Sequence, residues 1–151
     1  MKSKLRKSLN DNKFVFTAET SPPDSGSKVD VIDQVKSLKG LADAINVTDG
    51  AGANSHMSAL ATAAIIAEDG IEPILQFTTR DRNRIAIQGD LLGGWALNIP
   101  NILCLYGDEV KGGDQPEAKE VRDLDTISLL KTANNIKINN GMSLFKKNLK
   151  N

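Results

Sequence analysis

The sequence predicts an α/β fold of the (β/α) TIM-barrel type, with only about the first four β/α units present. Three observations support this prediction. Short apolar runs alternate with segments of helical periodicity, the runs contain little polar alternation, and polar residues follow every run. Strands that are covered on both faces form continuous apolar runs, as in parallel sheets whose strands are joined by helical crossovers.

The alternation can be followed along the chain. Four apolar runs have about the usual strand length, and they cover residues 14–18, 44–47, 74–77 and 102–105. Between them, apolar residues recur at intervals of three and four, as they do on one face of a helix. These intervals predict helices around 31–38, 60–67 and 85–97 and a fourth beginning at 124–130, with Ser55 or Ser58 as the cap of the second.

Two parallel architectures fit this order, an open doubly wound sheet and a barrel. A doubly wound fold commonly carries a glycine-rich first turn, whereas the first turn here is "ETSPPDSG", without GxGxxG. In a barrel the carboxyl ends of all strands meet on the face that carries the active site. Polar residues at the end of every run therefore favour the barrel, although a closed barrel needs eight strands and about 250 residues.

Composition narrows the class of protein. The chain has 151 residues, 40% of them hydrophobic and 25% charged, which is enough for one domain with a core. Lys plus Arg and Asp plus Glu number 19 each, so no nucleic-acid partner is expected. No apolar run approaches the roughly 20 residues of a membrane span, and the basic N-terminus lacks the apolar stretch of a secretory signal. We expect a cytoplasmic protein without a membrane partner, in which Cys104 is a buried, inert core thiol.

The domain organisation follows from the same pattern. Residues 1–13 are predicted to be an N-terminal extension, and residues 14–133 form the partial barrel. Residues 134–151 are predicted to be an atypical tail, either disordered or truncated. They are rich in asparagine and lysine and contain no acidic residue.

The strand ends supply the candidate functional residues. Glu19 precedes a rigid Ser-Pro-Pro loop, where a carboxyl group at a barrel mouth is suited to general acid catalysis; the alternative from spacing alone is a solvated carboxylate at the strand end. The glycines of "NVTDGAGAN" permit close backbone approach to a ligand, or they form a simple turn before a helix. "TTRDRNR" holds three arginines that suit a phosphate or carboxylate, or a solvated loop with local ion pairs.

The last strand end and the single histidine complete the candidates. In "LYGDEVKGGDQP", Gly107 allows close approach to a bound group and Asp108 is an acceptor for a ligand nitrogen or hydroxyl. The loop that follows is long enough to cover a ligand. His56 has no Cys or His partner at metal-ligand spacing, so no metal site is predicted.

Four stretches together resemble the methylenetetrahydrofolate reductase family. They are "FTAETSPP", "INVTDGAGANSHMS", "ILQFTTRDRNRIAIQGDLLGGWALNIPNILCLYGD" and "GDQPEAK". The third is long and specific, and the likeness covers about residues 14–130, which correspond to the N-terminal half of the family's catalytic barrel. The resemblance implies a flavoprotein of one-carbon metabolism and methionine biosynthesis. Such an oxidoreductase uses FAD to carry a hydride from a reduced donor such as NAD(P)H to 5,10-methylenetetrahydrofolate, which gives 5-methyltetrahydrofolate.

The resemblance also implies roles for individual residues. Glu19 matches the family's general acid. Thr48 matches a threonine beside the flavin, and Gln76 stands where some members have a histidine that contacts the flavin. Gly107 and Asp108 match the Gly-Asp pair whose aspartate lies near the flavin and the folate.

The chain departs from the family pattern at two positions, and alternatives stay open. Tyr106 stands where some members have an arginine, and Arg122 where some have a tyrosine. The later strands of the barrel are not matched. One alternative is a non-catalytic half-barrel that binds flavin or folate, or that assembles as a homo-oligomer or with a complementary chain. Another is a different parallel α/β enzyme, such as a pterin-dependent methyltransferase barrel.

Overall fold

The computed structural model describes residues 3–139 and shows helices alternating with four parallel strands. The strands are β1 (Thr17–Thr20), β2 (Ala44–Val47), β3 (Pro73–Thr78) and β4 (Asn101–Leu105). The helices are α1 (Lys4–Asn10), α2 (Lys28–Val35), α3 (Ala59–Glu68), α4 (Arg84–Ala96) and α5 (Thr126–Ile138). Short 3₁₀ turns occupy Lys36–Leu38, Ala51–Ala53 and Val110–Gly112.

The order of the strands decides between the two predicted architectures. The sheet runs β1-β2-β3-β4, so each strand lies beside the next one in sequence and every pair is parallel. A doubly wound sheet reverses its strand order at a switch point, and the described sheet has no such reversal. The predicted α/β fold of partial TIM-barrel type is confirmed.

The core lies on one side of the sheet only. Alternate residues of β2 and β3 point towards the helices, and Ile45, Val47, Leu75 and Phe77 are fully buried there. The helices contribute the opposing apolar residues, namely Val31, Val35, Ala59, Ala63, Ile66, Ile87, Leu91, Leu129 and Ile136. Because paired residues of parallel strands point to the same side, the opposite face carries Glu19 and Asn46 and, further along β3, Gln76.

The predicted strands and helices are present, but two of them differ clearly in their bounds. Helix α2 covers Lys28–Val35 and is followed by a 3₁₀ turn, whereas a helix was expected around 31–38. The other is the first strand. Residues 14–18 were expected to form it, but the ladder with β2 begins only at Thr17. The Asp43 carboxylate accepts the Phe16 N–H at 2.8 Å and so occupies a donor that a strand would use. Phe14 and Phe16 are exposed and pack edge to face, with 4.9 Å between their ring centroids.

Two helices show how local sequence sets their bounds. Ser58, one of the two predicted caps, begins α3 by accepting the Ala61 N–H. Helix α4 continues through the Gly93-Gly94 pair. At Gly94 an added Cβ would make ordinary van der Waals contacts with Leu60, Ile99 and Leu75, so the helix packs there without a steric need for glycine.

The proposed domain boundaries remain predictions. The extension 1–13 contains α1, and α5 continues past residue 133 to Ile138, while residues 140–151 lie outside the described part. Cys104 packs against the core but is only half-buried, and this burial raises the pKa of its thiol. Among residues 3–139, no helix has both the length and the apolar character needed to cross a bilayer.

Candidate functional site

Glu19 and Gln76 contact each other across the open face of the sheet. The Gln76 Nε2 donates to Glu19 Oε2 at 2.8 Å, although β2 lies between their two strands. Gln76 is 9% exposed and Glu19 is exposed. The buried amide therefore holds an accessible carboxylate in a defined orientation, and within the described residues its other polar atom, Oε1, has no hydrogen-bond partner.

Thr48 lies at the end of β2 and is turned towards the loop after β1. Its backbone N–H donates to Thr20 O at 3.1 Å, and its hydroxyl donates to Ser21 Oγ at 3.2 Å. The two prolines that follow Ser21 are buried, in keeping with a rigid loop. Thr48 is thus held near Glu19 in the fold, but its hydroxyl is already hydrogen-bonded within the protein.

The carboxylates of the β4 loop bind the amides of the β2 loop. The Gly52 N–H donates to Asp108 Oδ2 at 2.7 Å, and the Ser55 N–H donates to Asp114 Oδ2 at 3.0 Å. Gly52 belongs to the segment "NVTDGAGAN", whose backbone was predicted to approach a ligand closely, and Ser55 directly follows that segment. In the structure the protein's own carboxylates accept from both amides.

Gly50 and Gly107 make close approaches, but to a side chain of the same protein. Both have positive φ, +60° and +92°. A Cβ on Gly50 would lie 2.4 Å from an Arg80 Nη atom, and one on Gly107 would lie 3.0 Å from the Arg80 Cβ. The prediction that these glycines admit a ligand did not foresee Arg80, which is 4% exposed and fills the space between them. The sequence offered Arg80 either to a phosphate or carboxylate of a ligand or to a solvated loop with local ion pairs. It does pair with Asp81, but its side chain is buried.

Asp49 and Arg82 form a largely buried ion pair at the ends of β2 and β3. Arg82 donates to both Asp49 oxygens, at 2.7 and 3.1 Å, and its Nε donates to Asp90. Asp49 also accepts the backbone N–H and the hydroxyl of Thr78. The Arg82 guanidinium lies 4.6 Å from the centroid of the Phe77 ring. Asp49 therefore joins the end of β2 to the end of β3, a role that the sequence did not reveal.

Tyr106 and Arg122, the two departures from the family pattern, contact each other. The Arg122 guanidinium lies 3.9 Å from the Tyr106 ring centroid, within cation–π distance. It donates to the carbonyl oxygens of Tyr106, Gly107 and Asp108 at 2.9 to 3.3 Å. This arginine is held by Glu120 and fastens the segment that leaves β4.

His56 is paired with a carboxylate and not with a metal site. Its Nδ1 lies within hydrogen-bond distance of Asp24 Oδ1, in the loop after β1. Within residues 3–139, no group of three or more His, Cys, Asp or Glu side chains is placed to hold a metal ion.

Cavities lie beside the strand ends, including one of about 690 Å³ next to the loop after β1. Another of about 350 Å³ lies between the loops after β2, β3 and β4, and its lining includes Asp49, His56 and Arg80. A third of about 620 Å³ lies beneath the long loop after β4, beside Tyr106 and Arg122. Glu19 and Gln76 line none of these three cavities. Glu19 is exposed on the open face of the sheet.

Stability is expected to fall in acid because of two carboxylates near the site. Hydrogen bonds from Arg122 lower the pKa of Glu120 from 4.5 to about 2, and hydrogen bonds from Arg84 lower the pKa of Asp123 from 3.8 to about 2. The unfolded chain takes up these protons at higher pH, so this stabilisation is present above about pH 4.5 and is lost as the pH falls towards 2. Urea titrations across that range will measure the decline. It should be smaller in Asp123→Asn, and an identical decline in that variant would contradict the assignment.

Parallel strands in sequential order, helices over one face and polar side chains at the strands' carboxyl ends define part of a (β/α)-barrel enzyme. Comparison with known families gives the particular one. The family model described as methylenetetrahydrofolate reductase matches residues 4–146, and the chain belongs to this family. A search of curated proteins found no match. Membership indicates an oxidoreductase of folate metabolism, in a family that generally binds FAD.

Proposed function

We propose that the chain catalyses the FAD-dependent reduction of 5,10-methylenetetrahydrofolate to 5-methyltetrahydrofolate. This reaction belongs to one-carbon metabolism and methionine biosynthesis in the cytoplasm. NAD(P)H or another reduced compound is the electron donor. The observation that supports this proposal most directly is the Glu19–Gln76 hydrogen bond at the carboxyl end of the sheet in a chain of this family. It puts an accessible carboxyl group where barrel enzymes place their catalytic residues.

The residues of the open face suit a planar flavin ring. Ligand sites combine apolar surface with a few oriented polar groups. Leu103 pairs with Gln76 in the sheet and is 42% exposed, and Leu105 pairs with Thr78. This apolar surface lies directly beside the Gln76 amide, whose Oε1 is left to accept from a ligand N–H. Leu103 was not among the residues predicted from the sequence.

Each proposed residue has a task of its own. Gln76, Thr48 and the Gly107-Asp108 segment would hold FAD, which when bound supplies hydride transfer. Glu19 would hold a proton at its carboxyl group and deliver it to a nitrogen of the folate as the carbon–nitrogen bond opens. The Gln76 amide keeps that carboxyl group in one orientation, which lowers the entropic cost of reaching a reactive geometry.

A second candidate function rests on the edges of the sheet. Among the described residues, β1 and β4 are each paired on one side only, and Leu103 in β4 and Tyr106 directly after it are exposed. Unpaired strand edges and exposed apolar residues are suited to association. The alternative is therefore a non-catalytic half-barrel that binds flavin or folate, or assembles as a homo-oligomer or with a complementary chain.

Titration of the purified chain with FAD tests the proposed function. We expect saturable binding that quenches flavin fluorescence and leaves a yellow protein after gel filtration. Leu103→Lys, which places a charge on the proposed ring surface, should weaken binding at least about tenfold. Leu41→Lys is the matched control, since Leu41 is 76% exposed and precedes β2 at the opposite end of the sheet. A colourless chain that takes up no FAD would rule out catalysis by this chain alone.

A further inference from the structure

Arg80 occupies a channel between the loops after β2 and β4. It is 4% exposed, and its side chain passes between Gly50 and Gly107. A Cβ at Gly50 would lie only 2.4 Å from an Arg80 Nη atom, so the guanidinium would have to move, and a Cβ at Gly107 would make a tight 3.0 Å contact with the Arg80 Cβ. The position of Arg80 therefore favours glycine at both sites, as does their positive φ.

Hydrogen bonds of Arg80 connect three loops. Nε and one Nη bind the Asp81 carboxylate, at 2.8 Å each. The other Nη donates to Gly50 O at 3.1 Å and to Asp108 O at 3.4 Å. The backbone carbonyl of Arg80 accepts the Val121 N–H at 2.7 Å. One buried residue thus links the loops after β2, β3 and β4.

Only arginine fits this arrangement. Its planar fork donates in several directions at once, whereas a lysine ammonium is a single point charge on a flexible stem. The carboxylate that neutralises Arg80 belongs to the neighbouring Asp81, so the two carbonyls of the other loops receive donors without any unpaired charge. The Asp108 carbonyl also accepts a hydrogen bond from Arg122, so two arginines hold the start of the β4 loop.

We propose that Arg80 is a positioning residue that sets the conformation of the Gly107-Asp108 segment and its distance from the β2 loop. The consequence for ligand binding rests on the proposed function, because that function assigns Gly107 and Asp108 to the flavin. The positioning role itself does not rest on the proposed function. The hydrogen bond from the Gly52 N–H to Asp108 Oδ2 is present without any ligand, and it depends on the same placement of the β4 loop against the β2 loop.

The first test compares Arg80→Lys with Arg84→Lys. Arg84 forms a similar bidentate pair with Asp123, but this pair lies on the surface, away from Gly50 and Gly107. Arg80→Lys should weaken FAD binding at least about tenfold and speed hydrogen exchange of the Gly52 amide by a similar factor. The exchange of core amides such as that of Ala63 should stay unchanged, which separates misalignment from general unfolding. Arg84→Lys should change both quantities by less than about twofold.

The outcomes separate the two proposals. If the unaltered chain binds no FAD, the proposed function fails, and faster Gly52 exchange in Arg80→Lys still supports the positioning role. If Gly52 exchange in Arg80→Lys equals that of the unaltered chain, the positioning role is wrong, whether or not FAD binds. FAD affinity that stays within about twofold in Arg80→Lys contradicts the part that concerns the ligand.

The glycine channel gives a second test that does not need a ligand. Gly50→Ala should lower the unfolding midpoint for two reasons. Alanine is strained at this positive φ, and its Cβ would clash with the Arg80 guanidinium. In an Arg80→Gln background the shorter side chain leaves room, so the same alanine should lower the midpoint by a clearly smaller amount. Equal decreases in the two backgrounds would show that Arg80 does not dictate the glycine.

Discussion

Replacing Glu19 by glutamine is expected to slow folate reduction by about 10²–10⁴-fold, while reduction of the bound flavin by the electron donor stays within about twofold. Glutamine has nearly the shape of glutamate but holds no transferable proton. Its amide oxygen can still accept from Gln76, whose Nε2 lies 2.8 Å from Glu19 Oε2, so the orientation of the side chain should be retained. The expected loss is therefore specific to the half-reaction that requires a proton.

Stopped-flow measurement of the two half-reactions checks this expectation in any preparation of the chain that turns over. Asp24→Asn is a suitable control, because Asp24 carries a carboxylate in the loop directly after β1 but contacts His56. It should leave both half-reactions within about twofold. An equal loss of both half-reactions in Glu19→Gln would refute the role of general acid and would indicate a role in binding.

The backbone of the sheet could be predicted because its signals are local. Strand β2 has the predicted bounds, and β3 and β4 differ from their predictions by one residue at each affected end. The run that contains Phe14 and Phe16 was apolar enough to be a strand, yet Asp43, distant in sequence, captures the Phe16 N–H. A propensity cannot anticipate a hydrogen bond from another part of the chain.

The location of the site was predictable, but its internal contacts were not. Polar residues at strand ends implied one functional edge, and the structure places Glu19 and Gln76 in contact there. Which side chain fills which gap depends on rotamers and loop conformations that spacing does not encode. Gly50 and Gly107 illustrate this, since the sequence assigned their close approaches to a ligand and the structure assigns them to Arg80.

Replacing Asp49 by alanine is expected to destabilise the chain by about 3 kcal/mol, the lower end of the cost of breaking a buried ion pair, because Arg82 keeps one more exposed partner. Asp49 accepts from Thr78 and, at two points, from Arg82. Both charged side chains are largely buried, with relative exposures of 8% for Asp49 and 16% for Arg82. The substitution would leave the guanidinium with Asp90 as its remaining partner, and Asp90 is more exposed.

Urea denaturation measures this difference, with Glu68→Ala as the matched control. Glu68 pairs with Lys28 at 2.6 Å, a distance as short as that in the buried pair, but both side chains are more than half exposed. Solvent screening leaves such a pair worth about 0–1 kcal/mol. If the two substitutions cost the same, burial does not govern the Asp49–Arg82 pair.

The double replacement Asp49→Leu with Arg82→Met separates the charge from the packing. Removing both charges leaves no unpaired buried ion, so we expect this variant to lose less stability than Asp49→Ala does. The Thr78 N–H and hydroxyl then lose their acceptor, which should still cost about 1–3 kcal/mol. A double variant at least as unstable as Asp49→Ala would mean that the contribution of Asp49 lies in the Thr78 hydrogen bonds. The join between the ends of β2 and β3 would then be made by hydrogen bonding to the strand end and not by the ion pair.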